Sequence, residues 1–218
     1  MVIYGDSHAA MWFKALNLMA VIDHWKLVYL GKGDCPANDL PYDNPTGFGA
    51  PDSTFTPCNE WHRFAIDRIR ALRPDLVVIT EEFRGRPDGA SYTHQQWTAG
   101  LERTIRELGV PAGEVAIVGN IPSLPESGPQ CLARNPDRVQ ACSAPLVHYV
   151  AGYNQAEEKA AAAVRASYVD VIPWFCSSTC TAVIGRYEVY YDDYHVSEAY
   201  AQYLSAVLGQ ALHMGAPT

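Results

Sequence analysis

The sequence predicts an α/β domain of three layers, α/β/α, around a central parallel sheet. Short β-branched runs alternate with longer segments of helical period, the pattern of parallel strands joined by crossover helices. Leu76-Val77-Val78-Ile79 and Val115-Ala116-Ile117-Val118 are continuous apolar runs, which suit strands buried on both faces rather than on one. The chain of 218 residues is 48% apolar, enough for one substantial core, and nothing in its length demands a second domain.

The elements follow in order. Val2-Ile3-Tyr4 is a first strand, and after Gly5-Asp6-Ser7 a helix runs from about residue 9 to 22. A second strand covers 26–30. Residues 31–57 form a long insertion rich in Pro, Gly and Asp, unusual in a compact domain unless it is pinned or functional. Trp61, Phe64, Ala65, Ile69 and Leu72 recur with helical spacing, so 60–72 is a helix that Pro74 ends. A third strand at 76–79 precedes an amphipathic helix at 95–108, and Gly109 and Pro111 lead into the strand at 115–118. The region 131–142 is irregular. An Ala-rich helix at 149–167, a fifth strand at 168–172 and a last helix at 197–212 complete the domain.

A formal charge of −8 argues against nucleic acid or an anionic membrane as the main partner, since binding phosphates takes a concentrated basic surface. Arg63, Arg68, Arg70 and Arg73 are spaced as the solvated side of a helix. No apolar stretch approaches the ~20 residues needed to cross a bilayer. No cofactor motif is present.

Six cysteines stand as three sequence-local pairs, Cys35 with Cys58, Cys131 with Cys142 and Cys176 with Cys180. Of the fifteen possible pairings, the nearest-neighbour one closes its loops at the least entropic cost. The spacings do not supply the close ligand pairs of a zinc site, and no metal is expected. Disulfides imply an oxidising compartment, yet the chain begins Met1-Val2-Ile3-Tyr4-Gly5 without a signal peptide. The simplest resolution is a piece of a longer exported or membrane-tethered protein, with Met1 an added or fortuitous start.

Two short constellations carry chemistry. Ser7 lies where a strand gives way to a helix, and in open parallel sheets the site lies beyond the strand carboxyl ends. Unpaired amides and the helix dipole favour negative charge there, so the Ser7 amide can receive an oxyanion. The competing explanation is that Asp6 or Ser7 is only a helix cap, with Gly5 the turn before it. Near the other end, Asp192 precedes His195 by three residues, so a tight turn brings the carboxylate to the Nδ1 edge of the imidazole and leaves Nε2 facing outward. Taken alone, Asp192, Asp193 and His195 also fit a solvated surface turn before Ser197.

Gly5-Asp6-Ser7-His8 and Asp192-x-x-His195 resemble the first and last blocks of the SGNH (GDSL-like) hydrolases. More closely, the chain is similar to the SGNH domain fused to membrane acyltransferase-3 proteins, which O-acylate bacterial envelope glycans. Gly33-Asp34-Cys35-Pro36, Cys58-Asn59-Glu60-Trp61, Arg73-Pro74-Asp75-Leu76, Cys131-Leu132-Ala133 and the segment from Cys176 through Cys180 to Ser197 extend the likeness across nearly the whole chain.

The resemblance implies a flavodoxin-like fold with disulfide-stapled loops, Ser7 as nucleophile, His195 as general base and Asp192 as its orienter. It implies an acyl donor and an envelope glycan as acceptor, a membrane acyltransferase domain in the same parent protein, and an extracytoplasmic location. A secreted carbohydrate esterase, or a glycan-binding module with lost catalysis, are the alternatives. Family members complete the oxyanion hole with a glycine, for which Gly31 or Gly33 qualifies, and with an asparagine from a Gly-x-Asn-Asp block. Here the segment after the third strand reads Thr80-Glu81-Glu82-Phe83-Arg84 instead. Asn120 is read as a turn residue, and Arg84 either supports the oxyanion or pairs with Glu81 or Glu82. His8 is assigned to positioning the turn. Trp12, Trp61 and Trp174 are expected in the core, and His62 and His94 at the surface unless they line a cleft.

Overall fold

The computed structural model describes residues 1–43, 54–146 and 148–214. In chain order the elements are β1 (Val2–Gly5), α1 (Ser7–Ile22), β2 (Val28–Gly31), α2 (Thr56–Leu72), β3 (Val77–Thr80), α3 (His94–Glu107), β4 (Val115–Val118), α4 (Gly128–Arg134), β5 (Ser143–Pro145) and α5 (His148–Val164). They continue with β6 (Ser167–Val169), α6 (Ile172–Phe175), β7 (Thr179–Thr181), β8 (Val183–Ile184), β9 (Tyr187–Glu188), α7 (Glu198–Tyr203) and α8 (Ser205–Ala211). Five parallel strands form the central sheet in the order β2-β1-β3-β4-β6. The order reverses between β1 and β3, which is where an open α/β sheet places its crevice.

Alternation along the strands builds two cores. Ile3, Val78, Ala116 and Val169 point to one face, where Trp12 and Leu16 of α1 meet Phe175, Tyr200 and Leu208. Val2, Tyr4, Val77, Ile79 and Ile117 point to the other, against Ile69 of α2, Leu101 and Ile105 of α3 and Ala160 of α5. β1, β3 and β4 are buried along their whole length, as their unbroken apolar runs require. Gly5 is set by close approach, because a Cβ there would lie 1.8 Å from the Thr80 carbonyl oxygen.

Boundaries shift where capping overrides periodicity. α1 begins at Ser7 rather than near residue 9, because Asp6 caps it through a bond from the His8 amide. α2 starts at Thr56, with Pro57 in its first turn, and ends on Arg73 in the left-handed conformation just before Pro74. The expected last helix is two, with Leu204 at the joint between α7 and α8. The strand expected at 168–172 ends at Val169, and Ile172 opens α6 instead. Two small antiparallel pairs, β5 with β7 and β8 with β9, lie outside the main sheet.

The three disulfides join Cys35 to Cys58, Cys131 to Cys142 and Cys176 to Cys180. The described parts of the insertion are pinned, while its centre, 44–53, lies outside the described residues. Asn38 donates from its side chain to the Trp97 carbonyl, Arg103 donates to the Asp39 carboxylate, and Thr104 Oγ accepts from the Asp39 amide. Cys35–Cys58 bridges 23 residues, the longest loop of the three. Replacing both its cysteines by serine is expected to lower unfolding stability by about 3 kcal/mol, more than opening either other bridge. Urea denaturation of the three double variants checks this ranking, and a loss below about 1 kcal/mol at Cys35–Cys58 would contradict it.

Candidate active site

Asp6 closes the end of β1 in two directions. One carboxylate oxygen accepts from the His8 amide at 2.8 Å, and the other accepts from the Glu82 amide at 2.8 Å, across the switch point from β3. Asp6 is therefore the helix cap, which resolves the ambiguity between Asp6 and Ser7. Ser7 is left with its hydroxyl free for a partner other than its own helix. That partner is His195, whose Nε2 lies 2.8 Å from Ser7 Oγ.

His195 sits on a turn closed upon itself. The Tyr191 amide donates to the His195 carbonyl at 2.8 Å, and Tyr190 and Val196 form a bridge below it. Asp192 organises the turn with one oxygen, accepting from the amides of Tyr194 (2.9 Å) and His195 (2.7 Å). Its other oxygen accepts from His195 Nδ1 at 2.7 Å. A carboxylate there requires a proton on Nδ1, so the Nε2 lone pair faces the serine. Burial works against ionisation of Asp192, but the bonds from the His195 ring and the two amides outweigh it and hold the carboxyl below its usual range. The Leu124 and Gly128 amides, donating to the Asp193 and Asp192 carbonyls, fix the turn from outside.

A cleft of about 370 Å³ opens beside the Ser7–His195 contact, between α1 and the segment 191–198. Its floor is Ala10, Met11 and Val196, and Lys14 pairs with Glu198 at 3.7 Å on its rim.

Next to Ser7 in the chain and below it in the fold lies an acidic cluster that the sequence did not announce. Asp6, Glu81 and Glu157 are each about 1% exposed, and Glu82 faces His8 at 3.9 Å. Burial, reinforced by the Asp6 charge, pushes Glu81 and Glu82 up to about 8, while burial raises Asp6 to about 6 and Glu157 well above the carboxylate range. His8 goes the other way, to about 3, because burial and the neighbouring His195 both disfavour its cation. Its ring meets His195 edge-on at 5.2 Å.

These shifts set a pH dependence. The folded chain keeps protons on Glu81 and Glu82 up to about pH 8, whereas the unfolded chain releases them near the ordinary value of 4.5. Their stabilisation is thus complete at acid pH and is lost as pH rises through 8. His8 opposes this only below its ordinary value of 6.5, where the unfolded chain gains a proton that the folded chain refuses. The melting temperature is expected to fall between about pH 6.5 and 8, and Glu81→Gln to flatten that slope. Calorimetry across this range checks it, and an unchanged slope in the variant would contradict it.

Other sequence expectations are corrected. Arg84 pairs with neither Glu81 nor Glu82. Its Nη1 lies 2.5 Å from Asp34 and its Nη2 3.4 Å from Asp43, because Glu81 turns inward to accept from the Asn38 amide at 2.7 Å. Asn120 is more than a turn residue: it is buried, exchanges bonds with Asn154 of α5 and donates to Glu157. His62 is buried, with Nε2 2.6 Å from the Pro36 carbonyl oxygen, rather than exposed. His94 is exposed, its ring edge-on to Tyr153. Trp12 is fully buried, while Trp61 and Trp174 pack at the margins of their cores. Gly31 ends β2 beside Gly5, and Gly33 follows on the same edge with open space where a Cβ would lie. Among the described residues, the one group with metal-ligand proximity is Cys35, Cys58 and His62, but its two sulfurs are bonded to each other.

A parallel sheet that brings a serine, a histidine and an aspartate into one hydrogen-bonded chain at its carboxyl edge has the arrangement of the serine-dependent hydrolases and acyltransferases. The chain belongs to the family described as the SGNH domain (fused to AT3 domains), which it matches over residues 1–210. Among solved structures it is similar to the lipopolysaccharide acetyltransferase periplasmic domain of Salmonella ser. Paratyphi A, with TM-score 0.77 and 14% identity over 97% of this chain and 83% of that one. An M. smegmatis aryl esterase matches with TM-score 0.56 and 16% identity over 97% of each chain. A lipase/acylhydrolase from Enterococcus faecalis gives TM-score 0.54 and 16% identity over 96% of this chain and 92% of that one. At these identities the likeness is one of fold. No curated protein matches the chain in sequence.

Proposed function

We propose that the chain is one domain that transfers an acyl group through an ester on Ser7 to a hydroxyl of a cell-envelope glycan. The observation that carries this reading is the unbroken contact chain from Asp192 through His195 to Ser7, at 2.7 and 2.8 Å. In the first half-reaction His195 Nε2 takes the Ser7 proton as Oγ bonds the acyl carbon, and the donor's leaving group departs with that proton. In the second, His195 takes the proton of the acceptor hydroxyl, the new C–O bond forms, and Ser7 Oγ leaves and recovers the proton. Asp192 holds the ring's tautomer and stabilises the imidazolium in both.

The oxyanion is held by backbone amides at the helix start, Ser7 first, with Gly31 or Gly33 from the neighbouring strand end. Arg84 serves this indirectly, through its pair with Asp34 next to Gly33. Membership in a family described as fused to AT3 domains supports a parent protein with a membrane acyltransferase domain that delivers the donor. Three disulfides support an extracytoplasmic location. No helix among the described residues is long and apolar enough to cross a membrane, so the tether is assigned to that other domain.

Incubation with p-nitrophenyl acetate and an envelope glycan, followed by mass spectrometry, tests the proposal. Acetylated glycan and an acetyl group on the Ser7 peptide are the expected products. Free acetate alone would favour a hydrolase, and the absence of both turnover and Ser7 labelling by a serine-directed phosphonate would favour a binding module.

A further inference from the structure

The cleft beside Ser7 is larger than the acyl group of a short ester requires. Its roughly 370 Å³ has room for about a dozen waters at the ~30 Å³ each occupies in the liquid. A two- or three-carbon acyl group fills a small part of that, and the remainder must take something ring-sized. The walls say what kind of ring.

The floor of Ala10, Met11 and Val196 is apolar, and the Val196 amide donates to Met11 Sδ at 3.4 Å across it. The rim carries the Lys14–Glu198 pair, a donor and an acceptor both more than half exposed and thus available to hydroxyls. Tyr191 lines the cleft and is 75% exposed, so most of its aromatic surface is open to a ligand. An alkyl chain would use the floor but waste the rim. A pyranose has an apolar face for the aromatic ring and a polar equator for the charged pair, so it uses both.

Position points the same way. The Tyr191 amide is bonded to the His195 carbonyl, so the aromatic face and the base ride on one closed turn. Tyr191 and His195 both line the cleft, so a ring stacked on Tyr191 shares the cavity of the nitrogen that takes the acceptor proton in the proposed mechanism. Charge selects among sugars: Lys14 is balanced by Glu198, and the carboxylate of Asp192 leaves the cleft negative on balance, which disfavours an anionic ring.

We infer that this cleft is the acceptor subsite, with Tyr191 as its stacking platform and Lys14 and Glu198 as its hydroxyl contacts, and that it takes an uncharged pyranose. The inference rests on the acyl-transfer reading for its purpose but is testable without turnover.

Binding of methyl glucoside, methyl mannoside and methyl glucuronide is measured by saturation-transfer NMR on the Ser7→Ala protein, which forms no acyl-enzyme. The neutral glycosides are expected to bind saturably and the glucuronide more weakly. Adding Tyr191→Ala is expected to weaken the neutral glycosides about tenfold, whereas Tyr191→Phe, which keeps the aromatic face, holds them within about threefold. Binding of neither neutral glycoside, equal affinity with Tyr191→Ala, or a preference for the glucuronide would overturn the inference. Failure of the wild-type chain to be labelled at Ser7 by a phosphonate would instead sink the acyl-transfer reading and leave the binding result standing.

Discussion

Ser7→Ala is expected to reduce turnover of p-nitrophenyl acetate by about 10⁵-fold or more and to abolish phosphonate labelling. In the proposed mechanism the hydroxyl is the atom that bonds the acyl carbon, and no neighbouring group substitutes for it. The residual rate is what the amides at the start of α1 contribute by binding the ester. Folding is expected to be little affected, because the α1 cap is Asp6 and not Ser7, and the one bond lost is that to His195. Retained circular dichroism and a stability change within about 1 kcal/mol would separate loss of chemistry from loss of structure. A variant keeping more than about a hundredth of the wild-type rate would show that the serine is not the nucleophile.

Asp192→Asn is expected to cost about 10⁴-fold in kcat with KM nearly unchanged. The amide oxygen can still accept from the Tyr194 and His195 backbone, which preserves the turn. Its NH₂ then faces Nδ1 and can only donate, so the imidazole carries its proton on Nε2 and has no lone pair for Ser7. The same substitution removes the charge that stabilises the imidazolium. Steady-state kinetics with a melting curve check this, and a loss below about tenfold would remove Asp192 from the mechanism.

Much of the architecture was legible because it depends on local pattern. Val77-Val78-Ile79 and Val115 to Val118 could be nothing but buried strands, and burial along their whole length follows from helices on both faces. Gly5-Asp6-Ser7 and Asp192-x-x-His195 were legible for a different reason: the residue types are those that acyl transfer needs, and the strand-to-helix setting of Ser7 is itself local. What joins them is a contact across 188 residues, for which the likeness to the first and last blocks of the SGNH hydrolases was the cue.

The acidic cluster was not legible, because whether a carboxylate is buried depends on what covers it. Glu81 looks like a surface residue until the Asn38 amide is placed against it, while Glu82 beside it stays partly exposed. Two consecutive acids directly after a strand otherwise buried on both faces were the available signal. Asn154 and Glu157, three apart on α5 and facing the sheet, were a second. Of the two readings of Arg84, the ion pair with Glu81 or Glu82 failed for a related reason: sequence proximity favoured them, while its partners belong to the insertion. The break at Leu204 carries neither proline nor glycine, so periodicity ran straight through it.

Asp6 joins α1 to β3 with a separate oxygen for each. The backbone that carries the Ser7 hydroxyl therefore takes its position from the register of the sheet. Such an arrangement separates what must stay constant over evolutionary time from what is free to drift. A laboratory library diversified at positions 14, 191 and 198 should retain a high fraction of chemically competent members, and one diversified at Asp6 or Glu82 should not.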